Sequence, residues 1–111
     1  MTTSPRLNGR FYFKKTSNGN LFGEFSNLAS KDSQEVFTES CDVQTPGGEF
    51  TGTFHSSWQE NGKACDALLT ISQCKPSKLF ELKWSRNGTP VFEGKAMLCD
   101  DMLVGDYQST A

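Results

Sequence analysis

The chain has 111 residues and a formal net charge of −2, a length that holds one domain with a single modest core. Charges of both signs are scattered along it, which argues against a nucleic-acid or anionic-membrane partner, and no run approaches the ~20 apolar residues that cross a bilayer. Nine Phe stand against two Tyr and two Trp, and aromatic rings without a polar handle belong in a core or an apolar pocket.

The opening MTTSPRLNGR carries no apolar signal segment, so a cytoplasmic location is expected. Cys41, Cys65, Cys74 and Cys99 are then expected as free thiols. They form no C-x-x-C pair, and His55 has no Cys or His within a few residues. Neither a zinc site nor any cofactor is expected.

From Arg10 to Lys15 the side chains alternate, with Phe11 and Phe13 on one face and Tyr12 and Lys14 on the other. Ser17-Asn18-Gly19-Asn20 turns the chain into a returning strand, Leu21 to Asn27, with Leu21, Gly23 and Phe25 inward. Leu28 to Gln34 is polar and fits a loop, a single helical turn or a lid. A third strand is expected from Glu35 to Gln44, where Phe37, Cys41 and Val43 share a face that Glu39 interrupts. A barrel-mouth position for Glu39 is expected, the alternative being a bulge that shifts the register. Pro46-Gly47-Gly48 stops that strand.

The longest alternating run, Glu49 to Glu60, puts Phe50, Gly52, Phe54, Ser56 and Trp58 inward and leaves His55 on the polar face. Past the Asn61-Gly62-Lys63 turn, Ala64 to Gln73 turns Leu69 and Ile71 inward and Leu68 outward. The final stretch, Leu79 to Gln108, is a three-stranded meander. Its inner faces are Phe80, Leu82 and Trp84, then Phe92, Gly94, Ala96 and Leu98, then Leu103, Gly105 and Tyr107. Asn87-Gly88 is the strongest turn signal in the chain, because both residues accept the positive φ of a tight hairpin.

Eight strands spaced by roughly a dozen residues, with short hairpins and little or no helix, predict an all-β, antiparallel up-and-down eight-stranded barrel over residues 1–111. A recurring Gly-x-aromatic pattern supports closure: Gly23 with Phe25, Gly52 with Phe54, Gly105 with Tyr107, and a weaker copy at Gly94. Inward glycines let strands coil tightly and let a neighbouring ring lie over the gap. They also raise the alternative that space is cleared for a ligand, since an eight-stranded barrel either fills itself or keeps room for one small molecule.

The order GRFYFKK, LFGEFSN, FTGTF and LFELKW resembles the calycin group of barrels, which includes lipocalin-like and avidin-like members, and is closest to the avidin and streptavidin pattern. Those families carry a G-T-W-Y start, an L-T-G-x-Y-x-S strand, a further G-x-Y and a W-x-x-x-W strand that lines the biotin site. Phe25 stands where that pattern has a ligand-binding tyrosine, Asn27 where it has serine and Phe80 where it has the first tryptophan; Trp84 matches. The late tryptophan strand and the terminal aspartate have no match. The resemblance therefore implies the barrel and not biotin binding, because a ureido group needs several converging hydrogen-bond partners.

No catalysis is expected: His55 reads as a surface histidine, and Cys41 and Cys99 need a base beside them to act as nucleophiles. Glu39, if it points inside, needs a raised pKa or a partner. Two function classes remain. In the first, Phe13, Phe25, Phe54, Phe80, Trp84 and Tyr107 line a cavity for a small apolar or aromatic ligand, with Ser56 and Tyr107 as polar anchors. In the second, the barrel is filled and the outward residues Tyr12, Phe22, Val36, Leu68 and Val104 form a homodimer or protein-interaction patch.

Overall fold

The computed structural model describes residues 8–28 and 35–110. Eight antiparallel strands follow one another: β1 Asn8–Lys15, β2 Leu21–Asn27, β3 Phe37–Pro46, β4 Gly52–Glu60, β5 Lys63–Gln73, β6 Phe80–Arg86, β7 Thr89–Cys99 and β8 Met102–Ser109. Each pairs with its neighbour in sequence, and β8 returns to β1, closing the barrel. The period-two pattern produces this directly, since every strand buries alternate residues and closure leaves no unpaired edge.

Turn chemistry sets the registers. Asn61-Gly62 and Asn87-Gly88 both have positive φ at each residue, the backbone of a two-residue hairpin whose twist matches the strands it joins. Gly23 illustrates the inward glycines: a Cβ there would run into the Tyr12 carbonyl oxygen of the paired strand. Its absence lets β1 and β2 approach closely enough to coil.

The core is one cluster in which Phe13, Leu69, Leu82 and Leu103 are fully buried. A buried phenyl or leucyl side chain contributes about 1.5–3 kcal/mol of transfer free energy, so these rows hold the two sides of the barrel together.

Several expectations are corrected. The third strand starts at Phe37 rather than Glu35 and runs on to Pro46, which pairs with Gly52 at its end. Pairing in the fourth begins at Gly52, so Phe50 lies outside the strand yet stays buried. Leu98 keeps the inner-face register, opposite Leu103, but is 37% exposed because β7 is there reaching the end of the barrel and its turn. A bulge does occur on β3, between Val43 and Thr45. There the Val43 N–H donates to Asn20 Oδ1 at 2.9 Å, a partner that stabilises the irregularity. Glu39 lies before it in regular register, opposite Gly23 and Trp58. The expectation for Leu28 to Gln34 falls, apart from Leu28, outside the described residues.

Candidate functional site

In an up-and-down barrel the odd strands begin, and the even strands end, at the same rim. Inward residues near that rim are Phe11 on β1, Phe25 on β2, Glu39 on β3, Trp58 and Glu60 on β4, Trp84 on β6, Phe92 on β7 and Tyr107 on β8. These eight line one cavity. The space in it that a water-sized group can occupy is about 30 Å³, room for roughly one or two waters. Unfilled space reaches about 350 Å³ when the open mouth is included.

The walls are braced edge to face. Tyr107 meets Phe25 at 6.1 Å and 82° and Phe92 at 5.9 Å and 89°, while Trp58 meets Phe92 at 6.4 Å. Such pairs contribute about 0.5–1.5 kcal/mol each beyond area burial. Gly94 belongs to this arrangement, since a Cβ there would sit 3.3 Å from Trp84 and 3.4 Å from Phe11. A bulge between β6 and β7 falls beside the paired Trp84 and Phe92, where an irregularity re-aims side chains.

Two carboxylates complete the lining. Glu39 is 5% exposed; its Oε2 accepts from Trp84 Nε1 at 2.8 Å and from the Ser56 hydroxyl, with the Cys41 thiol at 4.0 Å. All three donors converge on one oxygen. Among the described residues no buried side-chain oxygen lacks a partner, which leaves Glu39 Oε1 to the accessible cavity. Burial pushes the Glu39 carboxyl up; the Ser56 and Trp84 hydrogen bonds oppose that shift, and the neighbouring Glu60 charge adds to it.

Glu60 accepts from Trp58 Nε1 at 3.0 Å on Oε1 and from Asn27 Nδ2 at 3.2 Å on Oε2. Tyr107 in turn donates its hydroxyl to Asn27 Oδ1. Each tryptophan of the chain therefore holds one carboxylate by its indole N–H.

Of the residues expected to line a pocket, Phe25, Trp84 and Tyr107 meet at this cavity. Ser56 lies behind it, with its hydroxyl bonded to Glu39. Phe13, Phe54 and Phe80 are buried in the packed core and are not among the lining residues. The expected list lacked Phe11, Glu39, Trp58, Glu60 and Phe92. Strand parity turns all five inward, and the signal that groups them is proximity to the rim where odd strands start and even strands end.

The remaining candidates lie elsewhere. His55 is on the outer face, its Nε2 3.1 Å from Asp66 Oδ2. All four cysteines are free, and burial pushes the Cys41 thiol up, which keeps it protonated. The outward apolar residues do not gather into one patch. Tyr12 and Val104 pair across β1 and β8 and share a shallow depression with Val36 and Met102, whereas Leu68 pairs with His55 and Ser85 on another side.

Comparison of the chain with family models, curated proteins and solved structures found no match.

Proposed function

We propose that this protein is a non-catalytic small-molecule binder that takes the apolar or aromatic part of a ligand into the open half of its barrel. What supports the reading above all is the rim cavity, where aromatic walls surround a small set of fixed polar atoms, the usual composition of a ligand site. The space inside admits only the leading group of a ligand. The rest extends through the mouth or displaces a half-buried ring such as Phe92.

Absence of catalysis is part of the proposal. The Cys41 thiol is protonated and has Glu39 as its neighbour, and His55 is on the outer face of the wall. The avidin-like order of motifs is kept as an architectural likeness. Asn27, at the family's serine position, is occupied by Tyr107 and Glu60, and Phe80, at its first tryptophan, is remote from the lining.

Native mass spectrometry of the purified protein tests the reading, combined with tryptophan fluorescence across a metabolite panel. A co-purified adduct, or saturable quenching that Trp84→Phe reduces, is expected. A bare mass together with unchanged emission throughout the panel would overturn it. A second reading, self-association through the Tyr12, Val104 and Met102 depression, is favoured by those residues adjoining one another on the outer wall. It predicts a concentration-dependent sedimentation coefficient that Val104→Lys abolishes.

A further inference from the structure

We infer that the group entering the rim cavity is a small organic cation, a primary ammonium or a guanidinium, seated between the Glu39 and Glu60 carboxylates against tryptophan and tyrosine rings. The inference rests on the ligand-binding reading and specifies its chemistry. Three observations carry it.

First, among the described residues the cavity's charged lining is of one sign: two carboxylates and no Lys or Arg. Arg86 comes nearest in kind, with its Cζ 5.8 Å from the Trp58 ring centroid, but its Nε is engaged by the Asp66 carbonyl at 2.9 Å and it lies outside the lining. Second, Glu39 is buried with its donors stacked on Oε2 and Oε1 left facing the void. An entering donor or cation can meet that oxygen without breaking a hydrogen bond of the protein. Third, six of the eight lining residues are aromatic, and aromatic rings attract a cation most strongly where water is excluded. An anion would meet two carboxylates there, and a neutral apolar head would leave Oε1 without a donor.

The protein's only two tryptophans make the test direct, since the Trp84 indole N–H reports on Glu39 and that of Trp58 on Glu60. Proton–nitrogen NMR spectra are recorded while the full chain is titrated with n-propylammonium, n-propanol and propionate. The cation should shift both indole signals with an affinity at least tenfold above the alcohol, and propionate should shift neither. In Glu39→Gln the tenfold preference for the ammonium over the alcohol should be lost. If circular dichroism shows that this variant does not fold, Glu60→Gln carries the same comparison. Equal or tighter binding of the alcohol or the acid would overturn the cation assignment and leave the cavity reading standing. Failure of all three probes to move either indole signal would overturn both.

Discussion

At the rim beside the β3–β4 turn, Phe13, Leu21, Phe50, Phe80 and Leu103 are all between 0% and 4% exposed. At the opposite rim six aromatic rings surround a void. The three buried polar residues of the described chain, Asn27, Glu39 and Ser56, all belong to the network around that void. One half of the barrel thus uses its rings to exclude everything, and the other uses them to surround two carboxylates. Two similar linings diverge because apolar rings alone close on one another, whereas buried polar groups demand partners and hold the wall apart.

The largest expected effect separates the halves by stability. Phe13→Ala in the filled half should destabilise the fold by about 3–5 kcal/mol in urea unfolding. Phe92→Ala, at a half-buried position beside an existing void, should cost less than half as much. Equal losses would mean that the two halves are packed alike.

Gly23→Ala comes next, at about 1–3 kcal/mol, because the added methyl meets the Tyr12 carbonyl oxygen of the paired strand and forces the backbone to shift. Urea unfolding measures it, and a neutral result would remove the close-approach explanation for that glycine.

The pH dependence of stability is a third test, specific to the hollow half. Glu39 is surrounded by Ser56, Trp84, Cys41 and the Glu60 charge, and burial raises its pKa above the ordinary 4.5. Its proton is held more tightly in the folded state than in the unfolded one. The resulting stability is fully present below pH 4.5 and is lost as pH rises through the raised native value. Glu39→Gln should flatten that decline in thermal unfolding curves recorded from acid to neutral pH. A variant with the parent's slope would show that Glu39 does not titrate there.

The smallest expected effect is a lack of reaction. In the native protein a thiol-specific disulfide reagent should modify exposed Cys99 and leave Cys41 untouched until unfolding. Mass analysis of the labelled peptides locates the modified thiol, and native-state labelling at Cys41 would show that the filled wall opens readily.

Alternation along each run was enough to orient residues such as Leu82, Trp84, Leu103 and Tyr107, and the two Asn-Gly turns were legible because few other residue pairs accept that backbone. Phe50 was placed inward correctly although it lies before its strand, since burial there depends on where the loop crosses the barrel end. Glu39 was harder. Its inward parity was visible in the chain, but its burial became intelligible only with Ser56 and Trp84 in place, residues 17 and 45 positions away.

By itself, then, the sequence determined the strands, their inner faces and the closure of the barrel, because these follow from a two-residue period and from short turns. Only the tertiary structure decided which end is filled and which is hollow. That division depends on side chains from seven strands meeting at one height, and local periodicity carries no information about height along the barrel axis until every register is set.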